Sequence, residues 1–205
     1  MASRRRGRAL WLLRAGETPW GAEGRVQGSA DLPLAPGVRE MLALEFAHLP
    51  PTAVAVVHHP ADEAATDTAK LAARSFRGKP AAVDDLGEPH LGLLEGLTLG
   101  TFAERYPTRH RQWQDDPLAL VAPEGEPLVD ARARILHTIV RLIRRSRGAE
   151  VAVVLHPLAL GLVRCVLCEA PSTEMRHMVS RRGQVERYIL PVDAADRLQA
   201  AAEGA

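Results

Sequence analysis

The tightest constraint on this chain is an alternation of strand-length apolar runs with longer segments of helical composition. Ala9 to Leu13, Thr52-Ala53-Val54-Ala55-Val56-Val57 and Val151-Ala152-Val153-Val154-Leu155 are unbroken apolar runs. Unbroken runs suit strands covered on both faces, and helices between them supply the crossovers that parallel pairing requires. Pro36-Gly37 opens a predicted helix through Val38, Met41, Leu42 and Leu44 to about Ala47, and Pro50-Pro51 ends it. An alanine-rich helix is expected from about Ala61 to Arg74, then a short strand near Ala81 to Val83. Ile135, Ile139, Val140, Leu142 and Ile143 mark a long helix that begins near Glu126 and closes at Gly148. Pro157 suits the first turn of a further helix reaching Cys168. Val185 to Leu190 alternates charged and apolar residues, as an edge strand with one wet face does. The pattern predicts an α/β protein, a three-layer α/β/α sandwich on a mainly parallel sheet with an antiparallel edge strand.

A length of 205 residues supports one well-buried core. Residues 9–192 read as a single domain, preceded by a disordered basic N-terminus at 1–8 and followed by a tail at 193–205 that is a short surface helix or disorder. The stretch 98–123, punctuated by Gly100, Pro107, Pro117 and Pro123 and carrying Tyr106, His110, Arg111 and Trp113, reads as an irregular insertion covering a cleft, with one short helix near Phe102 to Tyr106.

Near-equal charge, 26 basic against 25 acidic side chains, argues against a broad nucleic-acid or membrane surface. The apolar stretch after the basic N-terminal run is too short for a secretory signal, and no run suits a transmembrane helix. Cys165 and Cys168 fall within an apolar helical pattern and read as structural thiols, so a cytoplasmic setting is expected. The partner is then a small molecule or a local protein surface. The edge strand and the aromatic cover leave a homodimer or an interaction module open.

In an open parallel sheet, ligands bind beyond the carboxyl ends of the strands. That rule collects Arg14 and Gly16, then His58 and His59, then Glu88 and His90, and finally His156. Cations, imidazoles and a carboxylate at one sheet end suit an anionic ligand such as a phosphate monoester. Each histidine alone is better explained by a structural hydrogen bond. Their joint placement carries the expectation.

Arg14-Ala15-Gly16-Glu17-Thr18, with Trp20-Gly21 and Gly24-Arg25-Val26-Gln27-Gly28 following, resembles the opening motif of the histidine phosphatase superfamily, the phosphoglycerate-mutase-like enzymes. Leu86-Gly87-Glu88 through Glu95-Gly96, Gly125-Glu126 with Arg134, and Val153-Val154-Leu155-His156 are similar to its later blocks. The resemblance implies a phosphohistidine mechanism without a metal or other cofactor, with Arg14 and His156 on the phosphoryl oxygens and Glu88 as proton donor to the leaving alcohol. It also places Ala15 where the family has its nucleophilic His. The second phosphate arginine is missing from the start of the second helix, where Asp62 and Glu63 stand, while Gly21 replaces an Asn and Pro157 a Gly. These departures together imply a protein inactive on phosphate esters that binds an anionic ligand or a protein. Two alternatives stand beside it: a phosphatase seen as a His-to-Ala variant, and a metal-assisted hydrolase built on His58, His59, His90, His156 and Glu88.

Overall fold

The structure, a computed structural model, describes residues 8–50, 54–146, 150–180 and 185–204. The expected basic N-terminus up to residue 7 and the helix stop at Gly148 lie outside them. In chain order the elements are β1 (Arg8–Arg14), α1 (Pro19–Ala22), α2 (Val38–Phe46), β2 (Val56–His59), α3 (Glu63–Phe76) and β3 (Lys79–Ala82). Then follow α4 (Leu99–Arg105), α5 (Pro107–Asp115), α6 (Leu128–Arg145), β4 (Val151–Leu155), α7 (Pro157–Leu167), α8 (Met175–Ser180), β5 (Val185–Leu190) and α9 (Ala194–Ala202).

The strands form one sheet in the order β3-β2-β4-β1-β5, parallel except for β5, which runs antiparallel to β1 at the edge. This is the expected fold class. Period-two geometry explains the unbroken apolar runs. Leu10 and Leu12 of β1 join Val153 and Leu155 of β4 and the buried residues of α6, α7 and α9 on one face. Trp11, Leu13 and Ala15 join Ala152 and Val154 and the buried residues of α2 and α3 on the other. Fully burying each such Leu or Val is worth about 1.5–3 kcal/mol, so the two faces hold the layers together.

Four expectations need correction. The second strand begins at Val56, later than the apolar run suggests, and carries His58 and His59 within it. Pairing with β3 (Val56↔Lys79 to His59↔Ala82) and β4 sets that register, and composition alone does not. The cover is two helices, α4 and α5, where one was expected. Thr98 caps α4 by accepting from Thr101 N, and Pro107 occupies the first turn of α5, a helix-starting position that reads in sequence as a break. A short helix, α8, precedes β5 unannounced. The tail is part of the core: α9 buries Ala194, Leu198 and Ala202 against α6.

Candidate active site

The carboxyl ends of β1, β2 and β4 converge because parallel strands share direction, and the loops beyond them enclose a cavity of about 220 Å³. Its wall includes Gly28, Ser29, Pro60, Asp62, Asp84, Gly87, Glu88 and His156. Of the site residues expected from sequence, Glu88 and His156 line this cavity.

His156 follows β4 directly and stands at the N-cap position of α7, 2% exposed. Its Nε2 lies 2.9 Å from Asp62 Oδ1. A carboxylate only accepts, so the proton in this contact sits on the imidazole. Burial works against a charged ring, but the Asp62 hydrogen bond and the charges of Asp62 and Glu88 outweigh it and raise the His156 pKa above its ordinary value. Asp62 moves the other way. Burial pushes its carboxyl up, but the hydrogen bond and charge of His156, together with the hydrogen bond from the Ala65 amide, prevail and lower it. Asp62 is also the N-cap of α3, accepting from Ala65 N at 2.9 Å.

Glu88 is 9% exposed and accepts from Leu158 N and Ala159 N, both at 2.8 Å, through its two oxygens. It thus closes the open amides at the start of α7. Burial raises its pKa despite the His156 charge and these two amides. The segment leading to it is tied down from α6: Arg134 Nη1 donates to the Asp85 and Gly87 carbonyls, and its Nη2 pairs with Glu126.

The other expected residues do not line this cavity. Ala15, 2% exposed, packs its methyl into the apolar cluster with Trp11, Leu13 and Leu42, and its N–H donates to Leu155 O in the strand that carries His156. Gly16 gives its amide to Thr68 Oγ1 at 2.9 Å, so that amide is committed to the fold. A Cβ there would stand 2.5 Å from Leu34 Cδ2, which is why the position requires glycine. Arg14, half-buried at the end of β1, has its pKa lowered by burial and by Arg164, with Glu17 and Glu88 acting against both. His59 is buried and bonds the Pro60 carbonyl at 2.6 Å. His58 Nδ1 is buried without a hydrogen-bond partner, and burial followed by the neighbouring His59 depresses its pKa. The His90 side chain is exposed, and its backbone N–H bonds Glu126. Among the described residues no three His, Cys, Asp or Glu side chains are grouped to hold a metal. The histidine cluster needed for a metal-assisted hydrolase is therefore not assembled.

Gly21 lines a second cavity, about 190 Å³, walled mainly by Val26, Leu91, Leu94, Leu99, Phe102, Trp113, Leu120 and Leu158. It shares Gly28 and Glu88 with the first. The cover helices therefore add an apolar compartment beside the one that holds Asp62 and His156.

Sequence reasoning noted Asp62 as standing where the second phosphate arginine is missing, and missed it as the partner of His156. Its position just before an alanine-rich helix was an N-cap signal. Glu95 was missed as an organiser: it accepts from Ser29 N, Ser29 Oγ and Leu91 N, fixing the loop at Gly28 that separates the two cavities. Thr18 Oγ1 donates to Gln27 Oε1 at 2.7 Å and secures the same loop from its other end.

Comparison with known proteins agrees with this architecture. Over 169 residues the chain is 32% identical to the bifunctional protein Rv2228c of Mycobacterium tuberculosis, an alignment that covers 80% of this chain and 45% of that protein. The chain thus spans about half the length of that curated relative. Bacillus stearothermophilus YhfR superposes with a TM-score of 0.80 at 24% identity, covering 90% of this chain and 92% of that one. The mycobacterial glucosyl-3-phosphoglycerate phosphatase Rv2419c, solved with inorganic phosphate, superposes with a TM-score of 0.68 at 23% identity, covering 83% of each chain. With residues 10–194 matching the model of the histidine phosphatase superfamily (branch 1), the chain belongs to that superfamily.

Proposed function

We propose that this chain keeps the histidine-phosphatase fold and its cleft but lacks phosphohistidine turnover of phosphate monoesters, and that it binds an anionic ligand weakly or serves a protein partner. One observation carries the reading. At the ends of adjacent strands, Ala15 offers a buried methyl and His156 donates its Nε2–H hydrogen bond to Asp62.

Covalent phosphoryl transfer needs an imidazole free to attack and donors that gather the equatorial oxygens. A methyl group supplies neither. The cavity wall sets His156 against Asp62, Asp84 and Glu88, and a phosphate dianion entering there meets like charge. Arg14 is retained at the end of β1, and the phosphate complex of Rv2419c supports an anionic ligand for a cleft of this fold.

Hydrolysis of an aryl phosphate by the unmodified chain, in metal-free buffer and then with divalent ions, tests the proposal. No turnover is expected, and turnover in either buffer refutes it. The competing reading, a phosphatase carrying a His-to-Ala change, draws on the retained Arg14, Glu88 and His156. It requires Ala15→His alone to switch activity on.

Two further proposals complete the picture. The unpaired Cys165 and Cys168 support a cytoplasmic setting. The exposed Ile189 on the edge strand supports a homodimer, which light scattering checks.

A further inference from the structure

We infer that Asp62 is a built-in anion: its carboxylate occupies the seat on His156 that a ligand's phosphoryl oxygen would take, and so keeps the cleft's affinity for phosphate low. The inference rests on the proposed phosphate-ester cleft and deepens it by assigning the residue that closes it. Asp62 and His156 line the same cavity, so the contact between them lies inside the space a ligand would enter. One oxygen, Oδ1, accepts from both His156 Nε2 and Ala65 N at 2.9 Å. An imidazole N–H and an amide in the first turn of a 14-residue helix are donors suited to any small anion.

Capping alone does not account for this side chain. Serine caps a helix about as well as aspartate, but it is shorter and uncharged. The additional reach of Asp62 is spent on His156. The neighbouring Glu63, by contrast, is exposed and contributes its backbone N–H to Asp31. Sequence presents the two carboxylates as equivalent. In the structure only Asp62 enters the cavity.

A phosphate ion seated on His156 would place its oxygens within contact distance of the Asp62 carboxylate. Two anions on one donor repel, so ligand and side chain exclude each other.

Calorimetric titration with inorganic phosphate tests this, using the full chain and the variants Asp62→Ser, Asp62→Asn and Glu63→Gln. Asp62→Ser should tighten binding by about tenfold or more, because charge and reach are both removed. Asp62→Asn, which keeps the cap and removes only charge, should also bind more tightly than the unmodified chain, and it carries the comparison if the serine variant does not fold. Glu63→Gln should stay within about threefold of the unmodified chain. The His156 imidazole resonance should respond to phosphate in the Asp62 variants only.

Unchanged affinity in folded Asp62 variants overturns the inference. So does an equal gain from Glu63→Gln, since general charge would then explain the effect. Turnover of aryl phosphate by the unmodified chain would instead refute the functional proposal, and it is read in a separate assay.

Discussion

Asp62 Oδ1 and His156 Nε2 meet at 2.9 Å across a separation of 94 residues, joining the start of α3 to the end of β4 inside the cleft. The contact couples the ligand site to the fold, because the same carboxylate caps α3.

Restoring the nucleophile should therefore not suffice. Ala15→His should remain silent on an aryl phosphate while His156 is engaged by Asp62. Ala15→His combined with Asp62→Ser should exceed it by on the order of 10²-fold. Equal rates in the single and double variants would remove Asp62 from the explanation. Because Ala15 lies in an apolar cluster, the imidazole should also cost about 1–3 kcal/mol of stability, read by urea denaturation.

Stability should depend on pH through this pair. The pKa of His156 is raised on folding, so its contribution is complete at low pH and is lost as pH rises through the folded value. That of Asp62 is lowered, so its contribution is present at neutral pH and is lost as pH falls through the folded value. Glu88, raised mainly by burial, costs stability as pH rises from the ordinary carboxylate range to its folded value, above which the cost levels off. The groups facing His156 are Asp62, Glu88 and Arg14. Denaturant midpoints should thus peak in the mildly acidic range and decline above neutrality. In His156→Gln the alkaline decline should flatten, and an unchanged decline would place its origin elsewhere.

Glu88 is a structural acceptor whatever its part in chemistry. Glu88→Ala leaves the Leu158 and Ala159 amides without their carboxylate and should destabilise by about 1–3 kcal/mol. Glu88→Gln keeps an acceptor and should lose less. If both variants match the unmodified chain in urea, this carboxylate does not hold α7.

Gly16→Ala should destabilise by about 1–3 kcal/mol, since its methyl would press on Leu34 and on Leu42 of α2. A thermal melt shows this directly. Gly24→Ala, with open space around the new methyl, serves as the contrast: it should lose stability through its left-handed backbone, with packing undisturbed.

Where the sequence reading stopped short, pairing and packing decided the outcome. β2 was displaced because its ladder with β3 and β4, and not the apolarity of residues 52–57, fixes where the strand begins. α5 escaped notice because none of its residues is buried, leaving no periodic apolar face to read, and because Pro107 looked like a break. α9 was read as surface because alanines carry little hydrophobic signal, although Ala194, Leu198 and Ala202 fall on one buried face.

The sequence by itself determined the layers and the location of the cleft. Residues such as Leu10 to Leu13 and Val151 to Leu155 are apolar on both faces of a period-two strand, and a sheet covered on both sides is the structure that buries them. It also determined that position 15 carries no imidazole. Only the tertiary structure decided what fills the cleft. Asp62 contacts His156, Glu88 secures α7 from 70 residues away, and His58, His59 and His90 stay out of the cavity wall. Side-chain meetings of that kind depend on strand register and helix position, and local pattern does not encode them.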